Sequence, residues 1–205
     1  MPGSLSPDTQ KYSGFIFDCD GTLADSMPLH YEAWLAALAT HRAPFDFSWQ
    51  LFMSRAGKTT ELTVVELNAE FGIALDPVSV AEAHRVAYEA SVAGVGPIAD
   101  VVAFLRECVA LGQAVSVASG GEAPIVARTL RTIGVAELIP IVVTASEVEH
   151  GKPAPDLFLL AARRMGVPPA RCLVLEDSQL GILAAERAGM GALLVGRQEP
   201  PVKYR

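Results

Sequence analysis

Cysteine is scarce and scattered in this sequence of 205 residues. Cys19, Cys108 and Cys172 stand far apart, and no Cys-x-x-Cys or Cys/His spacing accompanies them. This pattern excludes the usual zinc sites and the disulfide framework of small secreted domains. We expect three buried, reduced thiols.

Basic clusters and long apolar runs are lacking too. The formal net charge is −7, so the chain is a poor partner for nucleic acid or an anionic membrane, although a local basic pocket could still bind a small anion. No uncharged apolar stretch is long enough to span a bilayer. The lead at residues 1–14 lacks the apolar core of a signal peptide and is expected to be flexible. We expect a cytoplasmic protein, and a monomer, because the sequence shows no conspicuous apolar patch.

Hydrophobic residues make up 51% of the chain, which is ample for a core. Short apolar runs that end at polar or glycine turns predict five buried strands, at residues 14–17, 114–118, 141–143, 172–175 and 192–195. Amphipathic patterns predict helices between the later strands, at residues 100–111, 124–133, 155–165 and 178–188. The alternation predicts an α/β fold with a Rossmann-like parallel sheet core and helices on both faces.

One part of the chain breaks this alternation. Between the first strand and the rest of the core, no strand pattern occurs, and amphipathic helical patterns cover residues 29–38, 59–71 and 78–92. Gly94 and the Gly96-Pro97 pair mark the return to the sheet. The sequence therefore predicts a helical insertion at 25–94, within a core formed by 1–24 and 95–205.

Acidic residues follow two of the predicted strands. Ligands of open parallel sheets bind beyond the carboxyl ends of the strands; here Asp18 and Asp20 follow the first strand, and Glu176 and Asp177 the fourth. Carboxylates brought this close need a shared cation or proton, and oxygen ligands beside a phosphate favour Mg²⁺. The alternatives are a turn or helix cap for the first pair, and capping beside Ser178 for the second.

Two further segments have features of an anion site. Ser119 and Gly120, with a second glycine, lie between a strand and a helix start, where backbone N–H groups can approach an anion. Lys152 lies in a proline-rich turn and could neutralise a phosphate or pair with Asp18. An ordinary turn and a solvated lysine are the alternatives.

Together these residues have the features that phosphoryl transfer requires, namely an anionic nucleophile, a metal, a cationic side chain and N–H donors. Lys152 and the metal would offset the repulsion between the Asp18 carboxylate and a phosphate. Asp20 would protonate the leaving oxygen and then take a proton from the attacking water. That role requires a raised pKa, which we expect burial beside other acids to supply.

The motifs resemble those of the haloacid dehalogenase superfamily. The resemblance lies in DCDGTL from residue 18, Ser119, Lys152 within GKPAPDLF, and LEDSQLGILAAERAGM from residue 175, in the same order and over the whole chain after the lead. The β-phosphoglucomutase-like and fructose-1-phosphate phosphatase-like branches are the most similar in pattern. The helical insertion resembles the small cap domain of that family.

The resemblance implies a role for each motif residue. It implies Asp18 as nucleophile and metal ligand, and Asp20 as acid/base whose backbone carbonyl also binds Mg²⁺. Phosphate binding would fall to Ser119 and Lys152, and metal binding also to Asp177 with Glu176. His30 matches a family position near the hinge of the cap, although an isolated histidine is often structural.

Substrate class is the harder question. The resemblance favours a magnesium-dependent phosphatase acting through a phosphoaspartate on a small phosphorylated metabolite, such as a sugar phosphate. A hexose-phosphate mutase of the β-phosphoglucomutase type is the alternative, but Thr60, Gly121 and Ala123 stand where that pattern has its arginine, serine and asparagine for a second phosphate. Arg55 and Lys58 are candidates for binding a substrate phosphate or sugar hydroxyl, with a solvated face as the alternative.

Functions of another class fit less well. A phospho-accepting regulatory domain also combines aspartates, a hydroxyl, a lysine and magnesium, but it has adjacent acids after its first strand and no long helical insertion. An inactive binding module is disfavoured by the intact set of acids.

Overall fold

The computed structural model describes residues 11–196. Its sheet has five parallel strands in the order β3-β2-β1-β4-β5. Most of the predicted lead, at 1–10, and the end of the predicted core, at 197–205, lie outside the described residues. The strands are β1 (Gly14–Phe17), β2 (Ala114–Ser119), β3 (Val142–Thr144), β4 (Cys172–Glu176) and β5 (Gly191–Leu194).

Helices cover both faces of the sheet, as predicted. Alternate residues of a strand point to opposite faces, so Phe15 and Phe17 of β1 enter one hydrophobic cluster and Ile16 enters another. The first cluster contains α5 (Ala99–Ala110) and α6 (Ala123–Thr132), and the second contains α7 (Asp156–Met165) and α8 (Gln179–Arg187). The predicted fold class, a Rossmann-like α/β core, is therefore confirmed.

Four α-helices lie between β1 and the helix that leads into β2. They are α1 (Met27–Thr40), α2 (Trp49–Met53), α3 (Thr60–Phe71) and α4 (Pro77–Ser91). Aromatic and aliphatic side chains from this segment, among them Trp34, Phe47 and Phe52, form a third hydrophobic cluster. Because this cluster is separate from the two beside the sheet, the helical insertion has a core of its own.

Short elements account for most differences from the predicted pattern. The five-residue helix α2 was not predicted, because so short a segment shows no helical periodicity; Ser48 caps it by accepting a hydrogen bond from the backbone N–H of Leu51. All three cysteines are buried, as expected. Among residues 11–196, no helix combines the length and the apolar character needed to cross a bilayer.

Candidate active site

The lysine of the proline-rich turn is buried against two strand-end carboxylates. Lys152 Nζ lies 2.6 Å from Asp18 Oδ1, just after β1, and 2.5 Å from Glu176 Oε1, at the end of β4. Its side chain is fully buried, so the alternative of a solvated lysine is wrong. The two carboxylates raise the pKa of Lys152 although burial opposes this, so it remains an ammonium.

Three acids gather beside this lysine. One carboxylate oxygen from each of Asp18, Glu176 and Asp177 lies within 4.8 Å of the others. Burial raises the pKa of Asp18 to about 7, assisted by Glu176 and opposed by Lys152. Burial and the neighbouring acids also raise the pKa of Asp177 well above its ordinary value. One ammonium thus leaves the cluster short of positive charge, and hard oxygen ligands of this kind fit Mg²⁺.

Hydrogen bonds fix the orientation of the Glu176 carboxylate. One oxygen accepts from Lys152, and the other accepts from the backbone N–H and the hydroxyl of Ser178, at 2.7 and 2.8 Å. Ser178 also caps α8 by accepting from the N–H of Gly181. Ser178 therefore caps α8, while Glu176, for which capping was the alternative, lies in the acidic cluster.

Asp20 has partners other than the acidic cluster. Ser26 donates a hydrogen bond to its carboxylate at 2.6 Å, and His30 Nε2 lies 3.1 Å from the same oxygen. Burial would raise the pKa of Asp20, but His30, Ser26 and Lys152 outweigh it and hold that pKa below its ordinary value. The expectation that burial beside acids raises this pKa is therefore wrong; burial raises those of Asp18 and Asp177 instead.

His30 belongs to a stack of rings from α1 and α4. Its ring lies parallel to that of Tyr88, with centroids 3.9 Å apart, and its Nδ1 is 3.4 Å from Nε2 of His84. Burial and His30 lower the pKa of His84 to about 3, so His84 is neutral at ordinary pH. Sequence reasoning missed His84 and Tyr88, although both lie one turn apart on one face of a predicted helix.

The predicted anion turn meets the helical insertion. Ser119 is buried at the end of β2, and its hydroxyl accepts a hydrogen bond from the N–H of Gly121 at 3.0 Å. A Cβ added to Gly120 would lie 2.6 Å from the carbonyl oxygen of Gly57, which has a φ of +90°. The backbones of the two segments approach this closely because both residues lack side chains.

A cavity of about 480 Å³ lies between the insertion and the strand ends. Its volume suits a small ligand. Lys152 and Glu176 are not among its lining residues; both are buried and paired with each other. The predicted site residues that line it are Asp18, Asp20, Ser119, Gly120 and Asp177 from the core and His30, Arg55 and Lys58 from the insertion.

The two cations on the insertion side are paired with glutamates of α3. Lys58 Nζ lies 2.5 Å from Glu66 Oε1, and Arg55 forms an ion pair with Glu70 and lies 3.9 Å from Glu66. Their side chains are only 9% (Arg55) and 16% (Lys58) exposed. The alternative of a solvated face is therefore wrong for both residues.

Comparison with known proteins identifies the family. The sequence model described as haloacid dehalogenase-like hydrolase matches residues 12–189. The chain belongs to the haloacid dehalogenase-like hydrolase family. The family match confirms the resemblance seen in the motifs. Together with the similarity to a named phosphatase, reported below, it confirms the predicted enzyme class, a phosphoric monoester hydrolase.

Relatives of this haloacid dehalogenase-like hydrolase match most of its length. It is 37% identical over 191 residues to fructose-1-phosphate phosphatase YqaB of Escherichia coli, covering 90% of this chain and 96% of the relative. It is 28% identical over 200 residues to β-phosphoglucomutase of Bacillus subtilis, covering 90% and 84%. A hydrolase from Pseudomonas syringae superposes with a TM-score of 0.80 at 30% identity, covering 88% and 83%.

Proposed function

We propose that this protein is a magnesium-dependent phosphatase that hydrolyses a sugar phosphate through a phosphoaspartate on Asp18. The observation that carries the proposal is the position of Asp18, which lines the cavity, with its carboxylate 2.6 Å from the Lys152 ammonium and inside a cluster of three acids. The similarity to a fructose-1-phosphate phosphatase supports the sugar phosphate. The helical insertion, at 25–94, would act as the cap over the reacting group.

In the first step, an Asp18 oxygen attacks phosphorus, and the bond from phosphorus to the leaving oxygen breaks. Lys152 lowers the repulsion between carboxylate and phosphate, and Ser119 and the N–H groups of its turn hold the phosphate oxygens. Asp20 gives its proton to the leaving oxygen. Asp20 is ionised before substrate binds, but a bound phosphate dianion would raise its pKa, and His30, whose Nε2 lies 3.1 Å from its carboxylate, is placed to donate the proton.

In the second step, water attacks the phosphorus of the phosphoaspartate. Asp20 takes a proton from this water, the bond from phosphorus to Asp18 breaks, and inorganic phosphate leaves. Asp18 returns as a carboxylate, and Asp20 passes the proton taken from water back to His30 as phosphate leaves, so the cycle balances. When bound by Asp18, Asp20, Glu176 and Asp177, Mg²⁺ would supply positive charge to the transferring phosphoryl group.

A phosphate-release screen over sugar phosphates tests this proposal. We expect release by the wild-type protein with Mg²⁺, loss of release with EDTA, and recovery when Mg²⁺ is returned. Asp18→Asn serves as the blank. Release that is insensitive to EDTA contradicts the metal dependence, and turnover of Asp18→Asn at the wild-type rate contradicts the nucleophile.

A hexose-phosphate mutase is the second candidate, favoured by the 28% identity to a β-phosphoglucomutase. A mutase must bind a second phosphate, yet Thr60, Gly121 and Ala123 line the cavity where the mutase pattern has its phosphate-binding side chains. With β-glucose 1-phosphate as substrate, we expect free phosphate. Glucose 6-phosphate as the product would support the mutase.

The cytoplasmic location and the monomeric state stay predictions from the sequence.

A further inference from the structure

The charged side chains at the insertion end of the cavity indicate which phosphorylated substrates the cavity can accept. Two cations, Arg55 and Lys58, line that end, and each is paired with a glutamate of α3. Glu66 and Glu70 thereby neutralise the side chains that could otherwise bind an anionic group on the substrate. A paired cation attracts an incoming anion far less than a free one does, because the glutamate repels what the cation attracts.

Two further glutamates line the cavity itself. Glu61 and Glu122 lie on opposite segments, one on α3 and one just before α6. Burial and Glu61 raise the pKa of Glu122, which places these carboxyl groups within each other's field. Two cations and two carboxylates therefore line this part of the cavity, and the two carboxylates that pair with the cations bring the formal charge of the set to −2.

The other lining groups suit a polyol. Thr59, Thr60 and Thr63 supply hydroxyls, and Trp34 and Phe52 supply aromatic surface. Sugar hydroxyls can donate to carboxylates and exchange hydrogen bonds with threonines, while C–H faces pack on aromatic rings. A second phosphate or a carboxylate would instead meet repulsion from the acids.

We propose that this phosphatase selects monophosphates with a neutral, hydroxyl-rich leaving group, and that Glu66 and Glu70 exclude a second anionic group by pairing with Lys58 and Arg55. The inference rests on the proposed function and narrows its substrate class. Glu66 and Glu70 are specificity-determining residues in this account, since they act through the two cations.

The test compares kcat/KM for fructose 1-phosphate and fructose 1,6-bisphosphate, measured as phosphate release with Mg²⁺ at constant ionic strength. We expect the wild-type protein to prefer the monophosphate about tenfold or more. Glu66→Gln frees Lys58 and should raise the bisphosphate-to-monophosphate ratio about five- to tenfold, the effect of one unit charge at ion-pair distance in a partly exposed site. Glu70→Gln should raise the ratio in the same direction.

Glu107→Gln is the charge control. Glu107 is exposed on α5 and does not line the cavity. This variant removes one negative charge from the protein and should leave the ratio unchanged. An equal rise in Glu107→Gln would show a general charge effect and overturn the role of Glu66.

Salt supplies a test that needs no variant. Added KCl screens repulsion between exposed charges, so the wild-type ratio should rise with KCl concentration.

Equal wild-type kcat/KM for both sugars, or an unchanged ratio in Glu66→Gln and with KCl, overturns the inference and leaves the proposed function standing. Hydrolysis of p-nitrophenyl phosphate but of neither sugar also overturns it. Phosphate release from none of the three compounds overturns both proposals.

Discussion

The ammonium of Lys152 lies 2.6 Å from the carboxylate of Asp18, although the two residues are 134 positions apart in the chain. The fold brings them together. Asp18 follows β1, which lies between β2 and β4 in the sheet, and the turn with Lys152 precedes α7, which packs against β1. Among the described residues 11–196, Lys152 is the only basic side chain that forms ion pairs with both Asp18, the candidate nucleophile, and Glu176.

Replacement of the nucleophile should separate activity from stability. In Asp18→Asn we expect phosphate release to fall about 10³-fold or more. Without divalent cations, its melting temperature should equal or exceed that of the wild type, because a pKa of about 7 means that the fold disfavours the Asp18 charge. Thermal unfolding in EDTA and phosphate release measure the two effects.

The control for this variant is Asp100→Asn, at the exposed first turn of α5 and outside the cavity. It should retain wild-type turnover. A marked fall in the melting temperature of Asp18→Asn would instead show that the ionised Asp18 is needed for the fold.

Loss of the buried cation should be costly for the fold. Lys152→Met leaves Asp18 and Glu176 buried without their shared ammonium, and we expect the free energy of unfolding in EDTA to fall by about 3 kcal/mol. The double variant Lys152→Met/Asp18→Asn removes one of the two carboxylate charges and should recover part of that loss. Urea unfolding of all four proteins checks this, and strict additivity would argue against the coupling.

Close backbone contact between turn and insertion should be needed for activity. Gly120→Ala places a methyl group 2.6 Å from the carbonyl oxygen of Gly57, so the insertion must shift away from the phosphate turn. We expect kcat/KM to fall about tenfold or more with little change in melting temperature. Gly94→Ala, whose added methyl meets nothing within 4 Å, is the control and should behave as wild type.

His84 should make stability sensitive to acid. In the folded protein its pKa is lowered from 6.5 to about 3, by burial and by His30. Below pH 6.5 the unfolded chain binds a proton that the folded protein does not, so a fall in pH favours unfolding. The contribution of His84 should decline by up to about 1.4 kcal/mol per pH unit between pH 6.5 and about 3.

The variant for this measurement is His84→Gln, which keeps a polar group near His30 and does not titrate. Its free energy of unfolding, by urea at a series of pH values, should depend less on pH than that of the wild type. Curves that stay parallel from pH 7 to pH 4 would mean that His84 is protonated in the folded protein.

The core could be predicted from the sequence because its signals are local. The run at 14–17 coincides with β1, and the run at 172–175 falls one residue short of β4. Apolar runs that end at polar turns mark buried parallel strands, and the alternation with helices then fixes the architecture. The meeting of the motif residues in one site could then be predicted too, because the carboxyl ends of parallel strands lie at one edge of the sheet.

The electrostatic details depend on contacts that the sequence does not show. Asp20 has a lowered pKa because Ser26 and His30 of the following segment turn back onto it. Likewise, Glu66 neutralises Lys58 through the packing of α3 beside the preceding loop. A charge pattern along the chain indicates which residues can pair, but tertiary packing decides which pairs form.

Capture of the phosphoenzyme would identify the residue that receives the phosphoryl group. The protein would be mixed with excess sugar monophosphate and Mg²⁺, quenched in acid within one turnover and digested, and its peptides analysed by mass spectrometry. We predict one phosphoryl group on Asp18 and none in Asp18→Asn. A phosphoryl group on another residue, or a full burst of inorganic phosphate with no labelled peptide, would exclude Asp18 as the nucleophile.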